Sequence, residues 1–86
     1  MFIRVYGSYV CEKCALLTNG LKLLKIPFEF IDALDEKNDA ICDKYSVNAL
    51  PHVQIFNDDN VVVWEKIKSV SITDVYTQAK HYEIKR

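Results

Sequence analysis

Cys11 and Cys14 are the residues of this chain whose type and spacing point most directly to chemistry. A short run rich in β-branched and aromatic residues precedes them (2–6), and a leucine-rich run follows (15–25). The first run predicts a buried strand and the second a helix, so the loop between them brings Cys11 to about the first helical position. Free backbone N–H groups and the helix dipole stabilise a thiolate there.

Cys14 lies three residues further on and projects from the same face of the predicted helix. Side chains at this spacing have Cβ atoms about 5–6 Å apart, and a slight tightening of the turn gives disulfide geometry. One cysteine can attack a substrate while the other waits to resolve the product. The pair therefore predicts a dithiol–disulfide switch.

The composition predicts a single small domain covering residues 1–86, with half of the residues hydrophobic and a net charge of −1. This charge gives no indication of nucleic-acid binding or of an acidic membrane partner. The first residues lead directly into a strand, so we expect neither a signal peptide nor a membrane span. Three cysteines is an odd number, which favours a reducing compartment, and we expect a cytoplasmic location.

The order of predicted elements is β-α-β-α-β-β-α. Further strands are expected at 28–31, 52–56 and 61–67, with a turn at 57–60 between the last two. A second helix follows the acidic stretch 32–37 and is expected to bury Leu34, Ile41 and Tyr45. Ser71 and Asp74 form a capping box that opens the last helix. The chain is therefore α/β, with one four-stranded mixed sheet flanked by helices.

The periodicity of the first helix predicts which of its residues are buried. Expected on the inward face are Cys14, Leu17, Leu21 and Leu24, with Leu16 and Leu23 widening it. Gly20 interrupts this pattern and suggests close packing or a kink. The residues of the last helix that are expected to face the interior are Ile72, Val75, Tyr76, Ala79 and Tyr82.

A family resemblance rests on three features of the sequence. They are Cys11-x-x-Cys14 at a strand-to-helix junction, a proline opening the third strand at Leu50-Pro51, and the element order. Over essentially its whole length the chain resembles the thioredoxin superfamily in its minimal, glutaredoxin-like form. The resemblance implies a cis Pro51 beside the cysteines and a Leu50 backbone that pairs with an extended substrate. A trans proline that merely starts an edge strand is the alternative.

The chain departs from both known subfamilies at the residues that usually define them. Glu12-Lys13 matches neither the glutaredoxin nor the thioredoxin pair between the cysteines. Val10 stands where thioredoxins usually carry tryptophan, and Ser8 stands where glutaredoxins often carry a glutathione-binding lysine. The stretch 66–70 lacks the Gly-Gly turn of glutaredoxins. Lys66 or Lys68, with the N–H groups near Ser71, are the remaining candidates for an anion contact.

The resemblance implies a monomeric thiol–disulfide oxidoreductase with Cys11 as nucleophile and Cys14 as resolving residue. Tyr9, Lys13, Leu50 and Pro51 are assigned to substrate binding, with simple loop packing as the alternative for Tyr9. We expect no bound metal or cofactor; glutathione, as a weakly bound co-substrate, or a flavoprotein reductase would supply electrons. Expected substrates are disulfide-containing proteins, with ribonucleotide reductase as one candidate.

Two other functions remain open from the sequence. One is a thioredoxin-like donor that does not use glutathione. The other is a non-catalytic module with the same fold that holds a partner or a metal, with Cys42 and either His52 or His81 completing a zinc site. Cys42 is instead expected to be buried and to pack as a small hydrophobic side chain, which argues against a metal site. His52 is expected to be a partly exposed strand residue without a role, and Trp64 to pack on the sheet.

Overall fold

Four strands form one mixed sheet in the computed structural model, which describes residues 1–82. Their bounds are β1 (Phe2–Gly7), β2 (Glu29–Asp32), β3 (His52–Phe56) and β4 (Val62–Ile67), in the spatial order β2-β1-β3-β4. Strand β1 pairs in parallel with β2 and antiparallel with β3, and β3 pairs antiparallel with β4. The predicted βαβ unit followed by a hairpin is confirmed.

The helices are α1 (Glu12–Leu23), α2 (Asp39–Lys44) and α3 (Ile72–His81), and a short 3₁₀ helix (Glu36–Asn38) precedes α2. Helices α1 and α3 cover one face of the sheet. The buried cluster on that face comprises Ile3, Val5, Leu17, Leu21, Ile26, Val53, Ile55, Val75 and Ala79. The alternation of β1 and β3 directs their other side chains to the opposite face, where the end of α2 packs.

Helix α1 buries a narrower stripe than its sequence predicts. Leu17 and Leu21 are buried, as expected, whereas Leu16 is 67% and Leu23 is 83% exposed. Each residue turns the helix by about 100°, so these two leucines point away from the sheet. Their predicted burial was wrong because α1 meets the sheet along a single line of contacts.

Gly20 lies where α1 packs closely against the start of α3. A Cβ atom at Gly20 would lie 3.1 Å from side-chain atoms of Ile72, which is the first residue of α3. The close-packing interpretation of this glycine is therefore confirmed. Ile72, Tyr76 and Tyr82 pack against the buried cluster as predicted, although each remains partly exposed.

The segment after β2 is less helical than expected. Leu34 is 68% exposed, so its predicted burial was wrong. Side-chain oxygens of Asp32 and Asp35 each accept a hydrogen bond from the backbone N–H two residues ahead, at 3.1 Å in both cases. Such local bonds favour a turn over a helix, and α2 begins only at Asp39.

The second face of the sheet carries a polar network instead of an aliphatic layer. The Tyr6 hydroxyl donates to Gln54 at 2.7 Å, Gln54 donates to Glu65 at 3.0 Å, and the Nε2 atom of His52 is hydrogen-bonded to the same carboxylate. His52 is only 1% exposed, so the expectation of a partly exposed histidine was wrong. The hydrogen bond to Glu65 offsets part of the cost of burying its imidazole ring.

Helix α3 begins with the capping box that the sequence predicted. The Asp74 N–H donates to the Ser71 hydroxyl at 3.1 Å, and the Ser71 N–H donates to the Asp74 carboxylate at 3.0 Å. Lys66 on β4 donates to the same carboxylate at 2.8 Å. The Lys66 ammonium, followed by the Ser71 N–H, lowers the pKa of Asp74 to about 2.

Asp74→Ala should therefore destabilise the fold by about 1 kcal/mol at neutral pH, the usual cost of losing a helix cap. Because its pKa is lower in the folded protein, the Asp74 carboxylate stabilises the fold fully at pH values above its unfolded pKa of about 3.9. That stability is lost as the pH falls toward about 2. The difference from wild type in free energy of unfolding, measured by urea denaturation, should shrink over this range.

Asp59→Ala is the matched control, because this carboxylate is exposed in the β3–β4 turn and makes no hydrogen bond to residues 1–82. It should change the free energy of unfolding little at any pH. An Asp74→Ala effect that is constant from neutral to acidic pH would contradict the ionic contribution.

Candidate active site at the start of the first helix

Cys11 is the N-cap residue of α1, with φ −92° and ψ 110°. Its sulfur accepts a hydrogen bond from the Cys14 N–H at 3.2 Å, and its carbonyl oxygen accepts one from the Ala15 N–H at 3.1 Å. The residue therefore lies one position before the predicted one, but it remains in the field of the free N–H groups. This arrangement favours negative charge on the sulfur in the reduced form.

The two cysteines form a disulfide, with Cα atoms 5.2 Å apart. They differ in access to solvent, since Cys14 is 1% exposed and Cys11 is partly exposed. A molecule arriving from solvent can therefore reach the sulfur of Cys11 far more easily than that of Cys14.

Gly7, at the end of β1, lies directly against Cys14. A Cβ atom at this position would lie 3.0 Å from both Cβ and Sγ of Cys14 and 3.0 Å from the Phe30 ring. Such distances are tighter than most real Cβ contacts, so a larger residue here would have to displace Cys14 or the Phe30 ring. Sequence reasoning treated Gly7 as part of a loop, although the chain has only two glycines and this one lies four residues before Cys11.

The loop between β1 and α1 turns Ser8 inward and the next two side chains outward. Ser8 is 5% exposed; its hydroxyl accepts a hydrogen bond from Val10 N–H at 3.2 Å, and its carbonyl accepts one from Cys11 N–H at 3.3 Å. Tyr9 and Val10 are 83% and 86% exposed. The predicted site residue Tyr9 thus lies on the surface beside the cysteines, with its ring centroid 5.4 Å from that of Phe30.

The peptide bond between Leu50 and Pro51 is cis, as predicted. Tyr6 pairs with His52 at the end of the β1–β3 ladder, so Pro51 occupies the next position, opposite Gly7. Pro51 is buried, and Leu50 is partly exposed. The backbone of Leu50 makes no hydrogen bond to another described backbone group, which leaves it available to an incoming chain.

The turn between β4 and α3 closes the other side of the site. Lys68 N–H donates to the Pro51 carbonyl at 2.8 Å, and Ser69 N–H donates to the Ile67 carbonyl at 2.9 Å. Lys68 has a φ of 68°, in the left-handed region that favours glycine. Together with the capping box, these bonds occupy the N–H groups of Lys68, Ser69 and Ser71, which are three of the backbone donors near Ser71. Lys66 is engaged by Asp74.

A cleft of about 420 Å³ separates this turn from α1. Its lining residues are Lys13, Leu16, Leu17, Lys68, Ser69, Val70, Ser71 and Ile72. Among residues 1–82, neither Lys13 nor Lys68 forms a salt bridge, and no acidic side chain lines the cleft. The predicted site residue Lys13 therefore contributes an unpaired positive charge close to the cysteines.

The other residues considered from the sequence lie away from the disulfide. Cys42 is a free, partly exposed thiol on α2, and not the fully buried residue that was expected. Burial, followed by the charges of Asp39 and Asp43, raises its pKa. Within residues 1–82 no cluster of three or more His, Cys, Asp or Glu side chains is placed to hold a metal ion. Trp64 packs against the buried cluster as predicted.

Several solved structures with similar backbones are thioredoxins. Thioredoxin 1 from Thermosipho africanus superposes with a TM-score of 0.78 at 21% identity, covering 96% of this chain and 94% of that one. For thioredoxin O2 from Arabidopsis thaliana in the oxidized state, the TM-score is 0.78 at 19% identity, with 92% and 71% covered. Malaria parasite thioredoxin-2, described as a component of the protein secretion machinery, superposes with a TM-score of 0.78 at 20% identity, covering 93% of this chain and 81% of that one.

The chain has the thioredoxin fold. No protein-family model matches the sequence, and no curated protein matches it either. The structural likeness therefore concerns the backbone, and the disulfide lies where β1 of this fold passes into α1. None of the helices within residues 1–82 has the length and apolar character needed to cross a membrane.

Replacing Lys68 tests whether the turn at the site is strained. Lys68→Gly should raise the free energy of unfolding by about 0.5–1 kcal/mol, because glycine adopts a positive φ without steric cost. Asn60→Gly is the control, since Asn60 also has a positive φ of 61° but asparagine tolerates it better. Urea denaturation should show the larger gain for Lys68→Gly. A loss of stability there would mean that the lysine side chain contributes more than the strain costs.

Proposed function

We propose that this chain is a thiol–disulfide oxidoreductase. The observation that carries the proposal is the asymmetry of the cysteine pair. Cys11 is partly exposed and receives a backbone N–H at a helix N-terminus, while its disulfide partner Cys14 is buried beneath it. A purely structural disulfide needs neither the exposed sulfur nor the N–H group directed at it.

In the proposed reaction the Cys11 thiolate attacks one sulfur of a substrate disulfide. A Cys11–substrate disulfide forms, and the other substrate sulfur leaves as a thiolate that takes up a proton. Cys14, after losing its proton, then attacks the Cys11 sulfur. The second substrate thiol is released, and Cys11 and Cys14 are left as a disulfide. A reductant then supplies two electrons and restores the dithiol.

The surroundings of Cys11 support an extended substrate. The Leu50 backbone has free hydrogen-bonding groups beside the buried Pro51, and the exposed Tyr9 and Val10 offer apolar surface next to the sulfur. We therefore propose that disulfide-containing proteins are the substrates, with ribonucleotide reductase as one candidate. A reducing compartment such as the cytoplasm suits this direction of electron flow.

For the electron donor, we propose that glutathione is accepted but weakly bound. Its two carboxylates need cations or free N–H groups, and the N–H groups of Lys68, Ser69 and Ser71 in the β4–α3 turn already have partners. Ser8 is buried and supplies no cation, and Lys66 is paired with Asp74. The unpaired charges of Lys13 and Lys68 are the remaining side-chain contacts.

A thioredoxin-like donor that is reduced by a flavoprotein reductase is the second candidate. It is favoured by the same occupied N–H groups and by the similarity of the backbone to thioredoxins. In this case glutathione with its own reductase would support little turnover, and thioredoxin reductase would support much more. The two electron sources should be compared in parallel with one disulfide substrate.

Cysteine variants test the proposed reaction itself. Cys11→Ser should abolish disulfide reductase activity, because it removes the attacking sulfur. Cys14→Ser should accumulate a mixed disulfide with a protein substrate, detectable as an added mass that a reductant removes. Cys42→Ser is the control and should retain activity, since this thiol is not paired. Absence of turnover in the wild type with either electron source would favour the non-catalytic module.

The donor proposal is tested at the two unpaired lysines. Lys13→Gln and Lys68→Gln should each raise the KM for glutathione by up to about fivefold, the worth of one exposed charge contact. Lys37→Gln, at an exposed position on the 3₁₀ helix, should leave this KM unchanged. If neither cleft variant changes the KM, glutathione binds elsewhere or without these charges.

A further inference from the structure

A second cavity lies on the opposite flank of α1 from the cleft at Lys13 and Lys68. Its volume is about 320 Å³, within the usual range for small-molecule sites. The α1 residues that line it include Cys14, Ala15 and Thr18, whereas Lys13, Leu16 and Leu17 line the cleft of the proposed reaction. The two sites therefore use different faces of α1, although Tyr9 borders both the cavity and the proposed substrate surface.

The walls of the cavity are mainly aromatic. Phe28 and Phe30 form the side next to β2, and Tyr9 lies over the top with its ring close to that of Phe30. The buried sulfur of Cys14 lies at the inner end, where Gly7 closes the space behind it. These walls suit an apolar ring, because aromatic rings pack favourably against one another at offset or tilted angles.

The polar groups of the cavity are donors at its rim. Lys22 is the only charged lining residue, and it forms no salt bridge within residues 1–82. Asn19, one turn before it on the same face of α1, is exposed, and its side chain makes no hydrogen bond to the described residues. The Thr18 hydroxyl donates to carbonyl groups within α1 at 3.0 and 3.2 Å, so it has no further proton for a ligand.

We propose that this cavity binds a small aromatic carboxylate. The ring would lie against Phe28 and Phe30, with Tyr9 at its edge, and the carboxylate would accept hydrogen bonds from Lys22 and Asn19. An anion is favoured over a cation because the single charge at the rim is positive and no acidic side chain lines the cavity. This site is distinct from the reacting sulfur of the proposed function, because Cys11 does not line the cavity.

Titration of the oxidised protein with naphthylacetate, followed by backbone amide NMR shifts, tests the proposal. Saturable binding at about 1 mM or below is expected for a ligand of this size. The shifts should centre on Thr18, Asn19, Lys22 and Phe28. Shifts centred instead on Lys68 and Ser71, or no saturation at a tenfold higher concentration, would overturn the proposal.

The neutral amide naphthylacetamide separates the charge from the ring. The acid should bind up to about fivefold more tightly than the amide, and Lys22→Gln should remove this preference. Lys13→Gln, which removes a charge on the opposite flank of α1, should keep it. An acid-to-amide ratio that Lys22→Gln leaves unchanged would contradict the assigned carboxylate contact.

Filling the cavity gives a test that does not depend on charge. Ala15→Phe places a large ring at an exposed helix position that lines the cavity, and it should abolish binding of both probes. Leu16→Phe is the matched control, because this neighbouring position lines the other cleft. The amide spectrum of each variant also shows whether it is folded. Binding that survives in folded Ala15→Phe would overturn the location of the site.

Discussion

The contact between Cys14 and the backbone of Gly7 is the constraint on which the rest of the site depends. Because Gly7 has no Cβ atom, the first turn of α1 can approach the end of β1 this closely. Cys14 is then buried beneath the helix, and Cys11 is left at the N-cap with its sulfur partly exposed. The different environments of two otherwise identical side chains follow from this one close approach.

Helix α1 is positioned at both ends by the only two glycines in the chain. Gly7 admits the cysteine end of the helix to the sheet, and Gly20 admits Ile72 of α3 further along. Between these points only a narrow stripe of α1 is buried, so the helix has two accessible flanks. One flank carries Lys13 and the proposed substrate cleft, and the other carries Lys22 and the aromatic cavity.

Most of the fold could be predicted from the sequence, because periodicity, the capping box of Ser71 and the cysteine spacing are local signals. Apart from the segment after β2, where the bonds of Asp32 and Asp35 are local, the errors concern tertiary contacts. Exposure of Leu16 and Leu23 depends on how α1 sits on the sheet, and burial of His52 depends on Glu65, which lies on a different strand. The role of Gly7 was missed because a close approach to Cys14 leaves no periodic pattern in the sequence.

In the proposed reaction Cys11 is the reactive thiol of the pair, because its position at the N-cap of α1 favours the thiolate. The most direct measurement is alkylation of the fully reduced protein with less than one equivalent of iodoacetamide near neutral pH, with the labelled peptides identified by mass spectrometry. The account predicts that Cys11 is modified well before the buried Cys14 and before Cys42, whose pKa is raised. Preferential labelling of Cys14 or Cys42 would contradict it.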